Sequence, residues 1–415
     1  MAKTSYDVKE IVDISLNGVS PIEKMEYVGI LEANGRVLFE DIICKKELPC
    51  FNNSGMDVYA VRLEDGGKWV DIIGESFAGD AIPDITLSEG KCFKIMTGAP
   101  TPRGTEAIVP FENIVEKGEG RVKLPEHLRL NDNHKFKGEE AKSGDILIKK
   151  GTKLTFAHIS LIASQGISAI KVYKKLRIGV FSSGNEIREP WDSAKEYQIY
   201  NSNSSGTYIA LKNMGYDVTY IGALADDQNE IKKRVEDNLD FDILFTSGGV
   251  SMGEADYIER VLTSLGMVTY FHGINVKPGK HTLMGKVRDT IFFGLPGNPL
   301  SALMNLELFA IPALEKMQGS NRFYHSYFIA KNKKAFKLKG QRANMVLGEY
   351  KSGQFLVCRD GKYGSGMLLP LVESNSFIVL DKGVEFVNEG ELLKVISFKS
   401  EFEEQMCDYI TYKTN

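Results

Sequence analysis

The sequence predicts a multidomain protein in which a doubly wound, mainly parallel-sheet α/β domain is joined by a split helical domain, an inserted small β domain and a C-terminal β domain. Three observations favour this class. The chain has 415 residues, which is long for a single hydrophobic core. Its middle third alternates strand-like apolar runs with helical periodicity, as a parallel sheet covered on both faces requires. The flanking segments carry short β-prone runs separated by Gly, Pro and Asp.

Helical periodicity on both sides of a β-rich segment predicts the split domain. Apolar residues recur near helical spacing at Val8, Ile11, Val12 and Leu16. A second helix is predicted where Ser20, Pro21 and Glu23 fit an N-cap, an N1 proline and a capping-box glutamate. Helical spacing returns at residues 155–165. We therefore assign residues 1–40 and 140–175 to a split helical domain and residues 41–139 to an inserted β domain.

The α/β domain is predicted at residues 176–320. Its predicted strands are 176–181, 218–221, 242–245, 268–271 and 290–293. Its predicted helices are 204–214, 231–238, 257–265 and 300–317. After Gly319 the β-prone runs return, so residues 321–415 are predicted to form the C-terminal β domain.

Composition excludes several classes of function. The formal net charge is −4, without the basic bias expected of a nucleic-acid-binding protein. Five cysteines without a CxxC pair argue against a disulfide framework and a structural zinc site. No apolar run approaches the roughly 20 residues needed to span a bilayer, and the N-terminus lacks signal-peptide character. We expect a cytoplasmic protein with no membrane partner.

Four loops follow predicted strands of the α/β domain and are expected to meet at one crevice, because ligands in such sheets bind beyond the carboxyl ends of the strands. Glycines there allow close approach of the backbone, and successive N–H groups can hold an oxyanion. The loops are Ser182-Ser183-Gly184-Asn185-Glu186, Asp226-Asp227, residues 247–256 (beginning Ser247-Gly248-Gly249 and including Ser251 and Asp256), and Leu295-Pro296-Gly297-Asn298-Pro299.

The charged residues of these loops narrow the class of ligand. Glu186, Asp226 and Asp256 are carboxylates that suit Mg²⁺, a cation that prefers oxygen ligands. Lys277 and Lys280 can pair with phosphate or another oxyanion. The six histidines lack metal-ligand spacing, and they receive no role. By composition, the loops at residues 53–60 and 96–100 of the inserted domain are turns.

Together these runs resemble the MoeA family, which includes the C-terminal domain of gephyrin. The resemblance covers nearly the whole chain in the same order, and residues 247–257 are its most specific run. The matching runs are 54–60, 96–100, 182–187, 247–257, 277–280, 295–302, 340–342 and 364–368.

The resemblance implies an elongated homodimer with a shared active site that inserts molybdate into adenylylated molybdopterin, releases AMP and requires Mg²⁺. Asp57 and Thr97 would face the cleft from the partner subunit. Glu186, Asp226 and Asp256 would line it as catalytic and magnesium-binding acids. Arg342 and Ser365, with Lys277 and Lys280, would bind the anion or the pterin, and Pro296 and Pro299 would shape the floor. The adenylyltransferase and apo-molybdoenzymes or their chaperones are the expected protein partners.

Two positions depart from the family pattern. Lys135 replaces an arginine, which keeps the charge but loses bidentate geometry. Asn185 replaces an aspartate, which removes one carboxylate. Two other functions stay open from the sequence: a molybdopterin adenylyltransferase, which would consume ATP, and a non-catalytic molybdopterin-binding paralogue or scaffold.

Overall fold

The first helix of the chain packs against the core of the α/β domain. The structure is a computed structural model that describes residues 6–250 and 257–398. Helix α1 (Val8–Asn17) starts with a capping box, in which Asp7 Oδ1 accepts from Glu10 N (2.8 Å) and Glu10 Oε2 accepts from Asp7 N (2.9 Å). Its Ile11 is fully buried within the main core of the α/β domain. The first part of the predicted helical domain therefore packs mostly as part of the α/β core.

The predicted second helix is wrong. Residues 19–24 have no regular structure, and they are followed by strand β1 (Met25–Gly29), which pairs antiparallel with residues 169–173. Ser20, Pro21 and Glu23 matched a helix start, but the alternating burial of β1 and its strand partner decide the conformation. Strand β2 (Ile42–Ile43) then leads into the inserted domain.

The inserted domain is a six-stranded sheet in the order β6-β3-β5-β4-β8-β7. Its strands are β3 (Val58–Val61), β4 (Trp69–Ser76), β5 (Lys91–Ile95), β6 (Ala107–Pro110), β7 (Glu116–Gly118) and β8 (Arg121–Lys123). The chain then returns to the first unit through β9 (Ile146–Ile148), α2 (Phe156–Ser164) and β10 (Ala169–Tyr173). Pairing of β1 with β10 and of β2 with β9 closes this unit around the insertion.

The α/β domain contains the largest core. Its strands are β11 (Arg177–Ser183), β12 (Ile187–Arg188), β13 (Ile199–Tyr200), β14 (Asp217–Leu224), β15 (Ile243–Ser247), β16 (Val268–His272), β17 (Val276–Lys277), β18 (Leu283–Val287) and β19 (Thr290–Leu295). Its helices are α3 (Ser202–Asn213), α4 (Gln228–Glu236), α5 (Tyr257–Ser264), α6 (Pro299–Asn305) and α7 (Ile311–Met317).

The main sheet of this domain has the order β14-β11-β15-β19-β18-β16. The first four strands are parallel, and β18 and β16 continue the sheet antiparallel. The prediction of a mainly parallel α/β sheet is confirmed. Strand β18 was not predicted. The predicted long helix is divided by a π-helical segment (Leu306–Ala310) between α6 and α7.

The C-terminal domain is a closed, barrel-like β unit. Its elements are β20 (Phe328–Asn332), β21 (Phe336–Lys337), β22 (Ala343–Lys351), β23 (Gln354–Val357), α8 (Leu369–Val372), β24 (Ser376–Leu380), β25 (Phe386–Val387) and β26 (Leu392–Ser397). The sheet order is β17-β22-β23-β20-β26-β24, with β24 also paired to β22. Because β17 lies between α/β-domain elements in the chain, it joins the two domains. Within the described residues, no helix is long and apolar enough to cross a membrane.

A stacked aromatic pair lies at the centre of the main sheet. Phe245 on β15 and Phe293 on β19 are both fully buried, with ring centroids 5.2 Å apart. We expect Phe245→Ala to lower the free energy of unfolding by about 3–5 kcal/mol, because it removes buried apolar surface and leaves a cavity. Chemical denaturation monitored by circular dichroism measures this loss. The matched control is Phe156→Ala on α2, because Phe156 is 82% exposed. This substitution should change the free energy of unfolding by no more than about 0.5 kcal/mol.

The π-helical segment carries a largely buried acid. Burial raises the pKa of Glu307 to about 7 from an ordinary value of 4.5, and His325 Nε2 donates to the Glu307 carbonyl oxygen (2.8 Å). Below pH 4.5 the carboxyl is neutral in both states. Between pH 4.5 and 7 the unfolded chain loses the proton first, so the folded state becomes less stable. Relative to wild type, Glu307→Gln should therefore gain stability over this interval, by at most about 3 kcal/mol. A stability difference that stays constant from pH 4.5 to 7 would contradict this assignment.

Candidate functional site

The parallel register of the central strands brings the predicted loops to one edge of the sheet. Ser183 pairs with Leu224, Ser182 with Ser247, and Ser247 with Leu295. Ser183, Leu224, Ser247 and Leu295 are the last residues of β11, β14, β15 and β19, respectively. The carboxyl ends of all four strands therefore align, as predicted.

A narrow crevice of about 60 Å³ lies between three of these loops. Ser183, Glu186, Ser247, Gly248, Gly297 and Pro299 line it, together with residues 199–203 at the start of α3. Ser182 and Gly249 lie in the same loops as these lining residues. The Oγ atoms of Ser182 and Ser247 are buried and have no hydrogen-bond partner among the described residues. Buried hydroxyls in this state favour a polar ligand or water beside them.

Asp226 is fixed at the edge of the crevice. Its Oδ1 accepts from Ser183 Oγ (2.7 Å), and its Oδ2 accepts from Asn185 N (3.2 Å). Asn185 Oδ1 accepts in turn from Asp226 N (3.1 Å). Asn185, one of the two departures from the family pattern, therefore orients an acid of the site through reciprocal hydrogen bonds.

The proposed magnesium ligands are only partly described. Glu186 is exposed and lines the crevice, and Asp226 is held beside it through Ser183 and Asn185. Carboxylate oxygens are the kind of ligand that Mg²⁺ prefers. No group of three or more His, Cys, Asp or Glu residues that could hold a metal occurs within residues 6–250 and 257–398. Ser251 and Asp256, the remaining predicted residues of the third loop, lie outside the described residues. The magnesium site stays a prediction.

A second, larger cavity of about 550 Å³ lies between the α/β domain and the C-terminal domain. The predicted residues Lys277, Lys280, Pro296, Asn298, Arg342 and Ser365 all line it. None of its described lining residues is Asp or Glu, and neither lysine forms an ion pair within the described chain. The described lining of this cavity is therefore basic and contains no carboxylate, which favours an oxyanion.

One loop separates the two cavities. Pro296 and Asn298 line the large cavity, whereas Gly297 and Pro299 line the crevice. Asn298 Nδ2 donates to Ser365 Oγ (3.0 Å), and Leu300 N donates to the Ser365 carbonyl oxygen (3.1 Å). The sequence predicted a single crevice. Among the described residues, Glu186 lines the small crevice, and Lys277 and Lys280 line the large cavity on the other side of this loop.

Sequence reasoning missed several residues of these cavities. His281, Ser301, Asn344 and Tyr363 line the large cavity, and Asn203 lines the crevice while donating to the Gly297 carbonyl oxygen (2.8 Å). His281 directly follows the predicted Lys280, and Ser301 lies within the matching run 295–302. Asn344 and Tyr363 come from the C-terminal domain, far along the chain from the predicted loops. Asn203 had a signal: the run Asn201-Ser202-Asn203 is typical of a helix start, and Asn201 does cap α3 by accepting from Ser204 N.

In the inserted domain, the two predicted loops lie against each other. Thr97 donates to Asp57 Oδ1 from both its backbone N and its Oγ1, each at 2.8 Å. These two bonds hold the pKa of Asp57 below its ordinary value. Lys135, the other departure, lies over the same loop, since a methyl group on Gly55 would come within 3.1 Å of its Nζ. No hydrogen bond among the described residues joins Asp57 or Thr97 to the loops of the α/β domain.

Comparison with known proteins identifies the family. Three family models match in order: the MoeA N-terminal region (domain I and II) at residues 6–166, a probable molybdopterin binding domain at 179–316, and the MoeA C-terminal region (domain IV) at 330–398. The molybdopterin molybdenumtransferase of Haemophilus influenzae is 36% identical over 382 residues, which is 90% of this chain and 94% of that protein. The chain belongs to the MoeA family.

Other relatives agree with this assignment. The molybdopterin molybdenumtransferase of Bacillus subtilis is 28% identical over 406 residues, 94% of each chain. The crystal structure of the molybdopterin biosynthesis MoeA protein from Pyrococcus horikoshii is 28% identical and covers 96% of this chain and 100% of its own, with a TM-score of 0.77. This MoeA protein is thus a transferase with a role in molybdenum cofactor biosynthesis, and its multidomain fold is confirmed.

The Asp57–Thr97 contact can be tested by titration. Thr97→Val removes the side-chain donor and keeps the backbone donor, so the charged carboxylate loses one stabilising bond. We expect the pKa of Asp57 to rise, measured from carboxyl carbon chemical shifts by NMR. The pKa of Asp360, which its ion pair with Lys334 lowers, should not change. A pKa of Asp57 equal to that of wild type would show that Thr97 Oγ1 does not stabilise the carboxylate.

Proposed function

We propose that this MoeA protein inserts molybdate into adenylylated molybdopterin and releases AMP. The observation that carries the proposal is the separation of opposite charges by one loop. Glu186 lines the crevice, and Asp226 accepts a hydrogen bond from Ser183, which also lines it. The described residues that line the large cavity include Lys277, Lys280 and Arg342 but no acid. Such a site can hold a phosphorylated ligand and a separate oxyanion as neighbours.

The crevice is the proposed place for the phosphoanhydride of the nucleotide. Its carboxylates would repel a phosphate unless a cation lay between them. Glu186, Asp226 and Asp256 would hold Mg²⁺, which when bound neutralises charge on the phosphate oxygens. Ser183 and Asn185 keep the Asp226 carboxylate oriented. The Oγ atoms of Ser182 and Ser247, which have no partner among the described residues, would add donors in the same loops.

The large cavity is the proposed place for molybdate. Lys277, Lys280 and Arg342 supply positive charge, and Ser365 supplies a hydroxyl. Its volume of about 550 Å³ lies within the usual range for small-molecule sites. The Leu295–Pro299 loop would then keep the oxyanion next to the nucleotide until the metal reaches the dithiolene. Molybdate and tungstate are nearly identical in charge and size, so either oxyanion suits this cavity.

We also propose a homodimer with a shared active site. The crevice formed by the described residues has a volume of about 60 Å³, well below the roughly 300–1,000 Å³ of ordinary small-molecule sites, which favours a contribution from a second subunit. The Asp57–Thr97 pair has no hydrogen bond to it within the described chain, so these residues would reach the crevice of the other subunit. The adenylyltransferase that makes the substrate and the apo-molybdoenzymes or chaperones that receive the product are the proposed partners, in the cytoplasm.

The test is AMP release from adenylylated molybdopterin in the presence of molybdate and Mg²⁺, measured by chromatography. We expect wild-type protein to release AMP without ATP and to yield a cofactor that activates an apo-molybdoenzyme. Lys280→Gln should raise the molybdate concentration for half-maximal release by roughly 10- to 100-fold, the usual effect of losing a charge-assisted hydrogen bond. Asp57→Ala and Asp256→Ala should strongly reduce AMP release.

The control and the contrary outcomes are distinct. Lys351→Gln changes the same side chain on the outer surface of the C-terminal domain, away from the large cavity, and should leave the molybdate dependence unchanged. Tight binding of the nucleotide without AMP release would overturn the proposal in favour of a carrier or scaffold. Formation of the adenylylated compound from ATP would identify an adenylyltransferase instead.

A further inference from the structure

The Lys277–Lys280 turn carries both ammonium groups of the large cavity. The two lysines are exposed to this space and are separated only by Pro278 and Gly279. The position of the Gly279 peptide therefore sets where the backbones of the two lysines lie relative to each other. A contact that holds this peptide in place also holds the backbone from which both lysine side chains extend.

A buried side-chain amide, that of Asn305, binds the turn from the core side. Asn305, the last residue of α6, is fully buried, and its Nδ2 donates to the Gly279 carbonyl oxygen (2.9 Å) and to Thr282 Oγ1 (2.6 Å). Thr282 Oγ1 itself donates to the Gly279 carbonyl oxygen (3.1 Å). Two buried donors thus converge on one carbonyl of the turn. The amide orientation is fixed, because its oxygen could not bond to a carbonyl acceptor.

The fit between Asn305 and Gly279 is tight. Gly279 has a φ of +104°, and a methyl group there would come within 2.1 Å of Asn305 Nδ2. A side chain at position 279 is therefore excluded both by backbone conformation and by space. On its outer side, the turn follows β17, where Lys277 pairs with Asn344 of β22 and Arg342 Nη1 donates to the Val276 carbonyl oxygen (3.1 Å).

We propose that Asn305 is a positioning residue for the oxyanion site. It does not line the cavity and so does not touch the ligand. Together with Thr282 it draws the Gly279 peptide towards the core, which makes Lys277 and Lys280 converge on the same anion. The inference rests on the proposed function, because it takes the anion to be molybdate. It adds a buried residue at the end of α6 to a site otherwise built from loops.

The test is the affinity for sodium molybdate, measured by equilibrium dialysis and metal analysis, with AMP binding measured in parallel. Asn305→Asp keeps the size of the side chain but cannot donate to the Gly279 carbonyl oxygen when ionised. We expect molybdate affinity to fall by roughly tenfold or more, with AMP affinity within about twofold of wild type. In turnover, the molybdate concentration for half-maximal AMP release should rise while the rate at saturating molybdate is retained.

The chain offers a matched control. Asn332 on β20 is also buried, its Nδ2 donates to the Asn388 carbonyl oxygen (2.8 Å), and its Oδ1, like that of Asn305, has no partner among the described residues. It does not line the cavity. Asn332→Asp makes the same chemical change at the same depth of burial. It should lower thermal stability and leave molybdate affinity at the wild-type value.

The outcomes separate this inference from the proposed function. Loss of molybdate affinity in Asn305→Asp but not in Asn332→Asp supports the inference. Wild-type affinity in Asn305→Asp, or an equal loss of molybdate and AMP binding, overturns it. If Asn305→Asp does not fold, Thr282→Val decides: reduced molybdate affinity supports the inference and unchanged affinity overturns it. Failure of wild-type protein to bind molybdate would instead overturn the proposed oxyanion site itself, and with it this inference.

Discussion

The parallel pairing of β14, β11, β15 and β19 is the constraint on which the whole site depends. Parallel strands in register end at the same edge of a sheet, so the loops that follow them are forced together. Here the register places Ser183, Leu224, Ser247 and Leu295 side by side. The stacked Phe245 and Phe293 rings are part of the core that fixes this register. A shift of one residue in the register of a strand would move all of its side chains to the opposite face of the sheet.

The second constraint is the attachment of the C-terminal domain. Strand β17 leaves the α/β domain to pair with β22, and Asn298 bonds to Ser365 across the same boundary. These contacts create the large cavity, because its basic residues come from both domains. They also make the Leu295–Pro299 loop a wall with two faces. Acids and bases can then remain close without neutralising each other, as the proposed site for a metal-bound phosphate and a free oxyanion requires.

Local patterns predicted the α/β part of the fold well. Helices α3, α4, α5 and α2 lie where periodicity placed them, and β11, β15 and β19 end at the predicted loops. Elsewhere the local signals were insufficient. Ser20, Pro21 and Glu23 have the residue types of a helix start, but the following residues pair with β10 instead. Strand β18 was missed because Leu283–Val287 is short, and pairing with its antiparallel partners β19 and β16 distinguishes it from a loop.

The sequence by itself determined the types of residue available to the site and their order: carboxylates after β11 and β14, lysines on either side of Pro278, and glycines where the backbone must be open. These follow from strand ends and turn chemistry, which are local. Only the tertiary structure decided that these residues divide between two cavities, that Asn185 orients Asp226, and that Asn305 lies beneath the lysine turn. The physical reason is that burial and hydrogen bonding between distant segments depend on how complete elements pack, and a local pattern carries no information about that packing.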